Sequence, residues 1–541
     1  MTTTANQGRL AVLDEMHTGD IRGALGTIRV GDTAPRLGLP AKLKTLLAIV
    51  GPGLIVMVGD NDAGAFATYG QAGQNYGTHL LWTLLLLVPV LYVNQEMVLR
   101  LGAVTGVGHA RLILERFGKF WGAFSVIDLF ILNSLTIVTE FVGITLAAGY
   151  LGLPKAGSVL LAAAVIIAAA FTGSFRRFER IAVAFCAGSL LLIPVYLLAH
   201  PLAGQMASGL AVPGLPGGPG QLAPVMLLVI GIVGTTVAPW QLFFQQSYVI
   251  DKRITPRFMR YEKADLCIGI VVVVIGAAAI MGAAAAAFAG TKGFGNFTDS
   301  GGLAAGLAAY AGKAAGVLFA VALLDGAVIG AFAVSLATSY ALGDVLGLKH
   351  SLHRGVSQAK QFYAVYGLLI AGAAALVLIP GVPLGLLTEG VQVLAGVLLP
   401  SASVFLLLLC NDRDVLGPWV NGKALNAFTS VVVAVLVTLS VILTASVLFP
   451  SITAAQIGLI TAGCGAAALA ALGYALTTRR RPAGEPVDRA GRQNWRMPPL
   501  AELGRARMSL GRRIGMGALR LYLIAAMILV VVKIVQVALG H

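Results

Sequence analysis

Gly59-Asp60-Asn61-Asp62-Ala63-Gly64 sets two carboxylates and an amide between apolar runs long enough to cross a bilayer. A charged side chain at mid-membrane costs roughly 3 kcal/mol or more, so such residues persist where they face a cavity or a transported ion. Glycines flank the acidic cluster within GPGLIVMVGDNDAGAFATYGQAG (51–73), which predicts a helix that unwinds at mid-membrane. A second stretch has the same character: in IGIVGTTVAPWQLFFQQ (230–246), Gly234 and Pro239 bracket small residues. Backbone that leaves the helical ladder at this depth is tolerated only where it lines a protein or water cavity, because no solvent is present to satisfy it.

The rest of the composition agrees with a bilayer setting. Of the 541 residues 57% are hydrophobic and only 11% charged, against about 25% charged in a soluble globule; mean hydropathy is +0.86. Apolar stretches of about 20 residues, enough to span, fall near 46–75, 80–99, 121–151, 157–174, 181–199, 222–249, 264–290, 314–345, 362–380, 384–411, 425–449 and 455–477. They predict an all-α, polytopic membrane protein. Spans one and six, the two broken ones, lie five apart, the spacing of a five-plus-five inverted repeat with its ion site at the midplane. A further run, Leu521 to Leu539, contains Lys533 and reads either as a thirteenth span or as a helix on the membrane surface. The organisation expected is a tail over 1–45, a transport core over 46–411, two more spans over 412–478, a basic segment over 479–520 and a hydrophobic helix over 521–541.

A net charge of +15 invites a nucleic-acid reading, which its distribution argues against. With the N-terminus in the cytosol, the cytosolic loops collect Arg100, Arg111, Arg116 and Lys119; Arg176, Arg177 and Arg180; Lys252, Arg253, Arg257, Arg260 and Lys263; Lys349, Arg354 and Lys360; and Arg413 with Lys423. The opposite loops keep only Lys155, Lys292 and Lys313, and the 200–221 loop has no Lys or Arg. This is the positive-inside bias. The excess, including Arg479, Arg480 and Arg481, serves orientation and contact with anionic lipid. The expectation is a multi-pass protein of the cytoplasmic membrane, a monomer whose partners are the lipid bilayer and a transported metal ion, with no nucleic acid. The first forty residues carry no apolar signal run and read as cytosolic. Cys186, Cys267, Cys410 and Cys464 each stand alone in apolar sequence, without metal-ligand spacing. The chain has no phosphate loop, zinc HExxH motif or nucleophile elbow, so we expect no enzyme and no resident cofactor.

The first broken span resembles the first helix of the Nramp (natural resistance-associated macrophage protein) metal transporters, whose signature is DPGN followed by FAT and QAG. Anchoring on Phe66-Ala67-Thr68 and Gln71-Ala72-Gly73 places the family's metal-binding aspartate at Asp62. The similarity continues through LRLGAVTGVGHARLILERFGKF (99–120), TGSFRRFERIAVAF (172–185), GTTVAPWQLFFQQS (234–247), LFAVALLDGAVIGAFAVSLA (318–337) and VQVLAGVLLPSASVFLLLLCNDRDVLG (391–417), and fades after about residue 480. It implies a leucine-transporter-like 5+5 inverted repeat with helices 1 and 6 broken, plus additional C-terminal helices.

Departures from the family pattern sharpen the site. Where the family's sixth helix reads A-x-x-M-P-H, this chain reads Thr235-Thr236-Val237-Ala238-Pro239-Trp240, and Ala65 replaces the asparagine of DPGN. The lost methionine sulfur is a soft ligand that favours manganese or iron over magnesium and calcium, which take oxygen. The resemblance therefore implies a site built from Asp62, the hydroxyl of Thr235, the carbonyl of Ala238 and Gln392 of the tenth helix, with Asp60 and Asn61 as replacement oxygens. An all-oxygen pocket suits a hard, partly hydrated ion, Mg2+. The pattern is similar to the Nramp-related magnesium transporters, in which the methionine is also absent and a tryptophan follows the proline.

In the family a third-helix aspartate and glutamate, with the sixth-helix histidine, carry protons. Here the glutamate survives as Glu140, the aspartate is Ile137 and the histidine is Trp240, and tryptophan does not titrate. We therefore expect weak or no proton coupling, the membrane potential drawing the cation inward. The alternatives are a proton-coupled Mn2+/Fe2+ transporter of the Nramp type and an organic amine or amino acid transporter on the same fold. Outside the site, Glu96 and Arg100 are spaced for an intrahelical ion pair, Asp128 and Asp325 read as structural, and Trp82, Trp121 and Trp419 as interface anchors.

Overall fold

The computed structural model describes residues 14–216, 222–380, 384–449, 452–478, 491–504, 506 and 510–538. Arg479, Arg480 and Arg481 lie outside them. Helices α1 (Leu39–Ile49) and α2 (Pro52–Val58) meet at 55°. After a break at 59–62, α3 (Ala63–Tyr76) continues the first span. Then follow α4 (Trp82–Thr105), α5 (His109–Phe117), α6 (Lys119–Tyr150), α7 (Lys155–Ala170), α8 (Phe175–Cys186) with α9 (Leu192–Leu198), and α10 (Ala203–Ala211). The second half holds α11 (Leu222–Thr236), α12 (Pro239–Asp251), α13 (Met259–Phe288), α14 (Ser300–Tyr310), α15 (Lys313–Leu346), α16 (Lys360–Leu378) and α17 (Leu384–Cys410). The chain closes with α18 (Arg413–Leu416), α19 (Lys423–Leu448), α20 (Ala454–Thr478) and α21 (Leu510–Ala538).

Among the described residues, ten helices are long and apolar enough to cross a membrane, counting α8 with α9 and α11 with α12 as one each. The other two expected spans are the broken α2–α3 and the shorter α7. Both breaks fall where the glycines and proline put them. Pro52 and Pro239 each stand at a helix start, where a missing N–H costs nothing, and only Val237 and Ala238 separate α11 from α12.

The packing has the pseudo-symmetry of an inverted repeat. The first span lies against α13, the seventh, while α12 of the sixth lies against α4, the second; α6 runs along α15, and α16 packs on α6 as α7 does on α15. Close approaches rest on missing side chains: a Cβ added at Gly73 would come 2.2 Å from the Met281 carbonyl, and one at Gly53 2.6 Å from Leu266 N.

Part of the 1–45 tail is ordered against the bundle. Residues 14–36 fold over the basic end of the bundle, with a two-stranded antiparallel ladder of β1 (Ile21–Arg22) and β2 (Thr27–Ile28). Ala24 N–H donates to Glu179 Oε2 at 2.6 Å. Arg253, held at φ 67°, donates to the carbonyls of Met16 (2.9 and 2.7 Å) and Asp20 (3.1 Å). Two tryptophans also correct the sequence reading: Trp121 is buried in a cluster with Phe405 and Phe124, and Trp419 is buried with its indole N–H on the Arg492 carbonyl. Neither is an exposed interface anchor. Helix α21 begins at Leu510, within the stretch read as a basic segment.

One connection outside the spans titrates. His350 Nε2 lies 3.1 Å from Asp344 Oδ1. Burial alone would lower its pKa, but the Asp344 bond and charge outweigh it and hold the imidazole at about 9. A pKa raised above the ordinary 6.5 adds stability that is complete below that pH and disappears as pH rises through 9. Thermal melting in detergent should therefore fall between these limits, and His350→Gln should flatten that slope. An unchanged slope in the variant would remove His350 as its origin.

Candidate metal site at the two broken helices

Asp62 stands at the end of the first break as the N-cap of α3, its Oδ1 accepting Ala65 N–H at 2.8 Å. Three elements close around it. Glu140 of α6 comes from one side, its Oε2 accepting the N–H of Ala63, the residue after Asp62, at 3.1 Å. Gly330 of α15 makes room for both: a Cβ there would meet the Glu140 carboxyl at 2.8 Å and Asp62 Cβ at 2.9 Å. Gln392 of α17 covers the third side, since a Cβ added at Gly64 would lie 1.8 Å from its Nε2 and 3.2 Å from Asp62 Oδ1. The Gln392 carbonyl would likewise meet a Cβ on Gly234 at 2.4 Å. Gln392 thus touches the first and the sixth span at once.

Asp60 belongs to a separate lobe facing the sixth-span break. Gln241 Nε2 donates to Asp60 Oδ1 and lies 3.4 Å from the Thr236 carbonyl, while Gln241 Oε1 accepts from Gln95 of α4 at 3.0 Å. Tyr69 and Thr236 share a hydroxyl contact of 2.7 Å beside it. Trp240, fully buried, reaches within 3.6 Å of where Gly59 would carry a Cβ and packs edge-on to Phe244. The indole fills apolar space against the break.

The remaining sequence candidates fall less centrally. Asn61 turns toward α13, donating from Nδ2 to the Val273 carbonyl at 3.3 Å, so it joins neither lobe through its nitrogen. The Ala238 carbonyl accepts Gln241 N–H at 3.2 Å, leaving one lone pair. Thr235 is buried one residue past Gly234. Asp325 packs against Gly188 at the α8–α9 junction, away from both breaks.

Several buried oxygens here have no hydrogen-bond partner: Asp60 Oδ2, Asn61 Oδ1, Thr235 Oγ1 and Glu140 Oε1. An unpaired buried acceptor costs about 1–3 kcal/mol, and a bound cation is one way to satisfy it. Among the described residues no three His, Cys, Asp or Glu side chains form a ready metal cage; the donors are carboxylates mixed with hydroxyl, amide and carbonyl oxygens. A narrow crevice lined by Ala63, Thr139, Asp299 and Thr388 reaches the start of α3, one residue from Asp62, from the end opposite the basic loops.

Sequence reasoning did not single out Gln241, Gln95, Tyr69 or Gly330. The first two carried a signal, since Gln95 and Gln241 are uncharged polar residues inside apolar spans, where polar groups mark function or helix contacts. Gly330 carried none, because its role is defined by what lies opposite.

The family model for natural resistance-associated macrophage protein-like proteins matches residues 53–446, which contain both breaks and every residue of the two lobes. The chain belongs to the Nramp family. Nramp relatives include the divalent metal cation transporter MntH of Burkholderia ambifaria, 28% identical over 433 residues, covering 77% of this chain and 92% of that protein. The MntH protein of Ralstonia nicotianae is 30% identical over 410 residues, covering 71% and 87%. Among solved structures, the Eremococcus coleocola manganese transporter in complex with an aromatic bis-isothiourea compound superposes with a TM-score of 0.62 at 20% identity, covering 83% of this chain and 98% of that one. At that identity the likeness establishes the Nramp fold alone. Helices α20 and α21 and the 491–506 segment lie beyond the Nramp match.

Proposed function

We propose that this Nramp protein carries a divalent metal cation across the cytoplasmic membrane, its basic end in the cytosol, with Asp62 as the main ligand. Asp60, Thr235, the Ala238 carbonyl and Gln392 complete the path of the ion, and Asn61 contributes through its free Oδ1. The observation that carries this reading is the convergence of Asp62, Glu140 and Gln392 on the unwound first span, with unpartnered buried oxygens around it. Carboxylates held at this depth are costly and serve ions or protons.

The donor chemistry favours a hard ion. Ala238 brings no sulfur and Trp240 no imidazole to the break, and an oxygen-only set accommodates Mg2+ with part of its water shell. A second reading has its own support: relatives carry the names MntH and manganese transporter, and Glu140, a titratable residue, stands beside Asp62 against Gly330. Two neighbouring carboxylates repel unless one takes up a proton, so this proximity favours proton-coupled Mn2+ or Fe2+ transport over the uncoupled mode expected from the sequence.

Uptake into proteoliposomes separates the readings, with Mg2+, Mn2+ and Ca2+ compared with and without a pH gradient. The hard-ion reading expects Mg2+ uptake that excess Mn2+ does not abolish, and Ala238→Met should shift preference toward Mn2+. Strong Mn2+ preference in the unaltered protein, or proton influx tracking metal, would establish the second reading instead.

A further inference from the structure

A separate cavity of about 290 Å3 lies at the basic end of α4, remote from the two breaks. Tyr92, Glu96 and Arg100 line it from one face of α4, at i, i+4 and i+8; Lys263 of α13, Trp419 and Arg492 complete the wall. Three cations thus face one carboxylate, and that carboxylate is already engaged. Glu96 pairs with Arg100 at 3.1 Å, as its sequence spacing predicts, and with Lys263 at 2.7 Å. Arg100 also donates to the Trp419 carbonyl and to Asn421 Oδ1 (2.7 Å), yet its Nε, in a residue only 5% exposed, has no partner. Arg492 is exposed, its guanidinium 4.5 Å over the Trp419 ring, and it makes no ion pair among the described residues.

The wall bearing Arg492 is built rather than incidental. Trp419 Nε1 donates to the Arg492 carbonyl at 2.8 Å, Trp495 fills the space over Gly417, and Ala506 N–H donates to the Arg116 carbonyl at 3.0 Å. On its other side the cavity adjoins lipid-facing surface. Lys263 shares a face of α13 with the exposed Cys267 and with Val271, 57% exposed, one and two turns along. A charged recess thus opens onto an apolar helix face.

We propose that this cavity binds the phosphate headgroup of an anionic phospholipid, its acyl chains lying along the Cys267–Val271 face of α13. Arg492 and Lys263 hold the phosphate oxygens, guanidinium being the side chain best matched to them, and basic recesses between membrane helices suit such headgroups. Bound lipid bridges α4 and α13 of the transport core to the 491–506 segment, which lies outside the family match.

The test uses the delipidated full chain in detergent, with native mass spectrometry and thermal melting after addition of phosphatidylglycerol, phosphatidylcholine or glycerol 3-phosphate. Phosphatidylglycerol should bind more tightly than phosphatidylcholine and raise the melting temperature. Arg492→Gln, which removes an exposed guanidinium but keeps the carbonyl that accepts Trp419 Nε1–H, should weaken phosphatidylglycerol binding roughly fivefold, as should Lys263→Gln, the worth of one basic side chain at an anionic surface. Equal binding of the two lipids, or unchanged affinity in both variants, would overturn the site. Glycerol 3-phosphate binding as tightly as phosphatidylglycerol would overturn the lipid assignment in favour of a soluble phosphate ester.

Discussion

Asp62→Asn is expected to cut divalent-metal uptake by roughly 10- to 100-fold, because groups that merely orient metal ligands are already worth that much and Asp62 is placed to face the ion. Asparagine is the informative replacement. Its side-chain oxygen still accepts Ala65 N–H, so the cap on α3 survives, and only the charge is lost. The folded protein should therefore reach the membrane with little change in melting temperature, and the loss should appear as a higher apparent KM for the metal. Asp60→Asn should cost less, since Gln241 holds Asp60 in a lobe of its own. Unchanged uptake in Asp62→Asn would remove the assignment of the site, whichever metal is carried.

Lys252→Met should cost about 3–5 kcal/mol of stability, the usual result of breaking a buried ion pair from one side. Lys252 and Glu179 are both fully buried, with Nζ 2.7 Å from Glu179 Oε1. The same ammonium donates to the carbonyls of Ile49 (2.6 Å) and Val50 (2.9 Å), the elbow between α1 and α2. Asp265 completes the grip by accepting the N–H groups of Gly51 and Gly53 at 3.1 and 2.7 Å. Without Lys252, Glu179 is left as an uncompensated charge beneath the folded N-terminal segment, which it also anchors through Ala24. Thermal melting should drop clearly in Lys252→Met and recover in part when Glu179→Gln is added, because the orphaned charge is then gone. A double variant less stable than the two single losses combined would show that the pair acts through something other than its charge.

Much of this was legible in the chain itself. Twelve apolar runs and their basic loops foretold the membrane class, and the glycines around Asp60 and Asp62, with Pro239, marked the breaks. The Glu96–Arg100 pair followed from helical spacing and is present at 3.1 Å. Asn61 shows where such reasoning stops: adjacent to two carboxylates in sequence, it turns its amide to α13 instead. Trp419 shows the same at the surface, since the segment that covers it arrives from 73 residues further along the chain.

Composition and residue order are enough to establish that the chain crosses the bilayer many times, where two spans unwind, and which hard or soft donors those breaks offer. Those properties depend on local composition and on periodicity, which apolar helices preserve. The grouping of Asp62 with Glu140 and Gln392, while Asp60 turns to Gln241, emerges from packing. An unwound segment has no helical period to direct its side chains, and the partners come from α6, α12 and α17, brought together by packing rather than by sequence order.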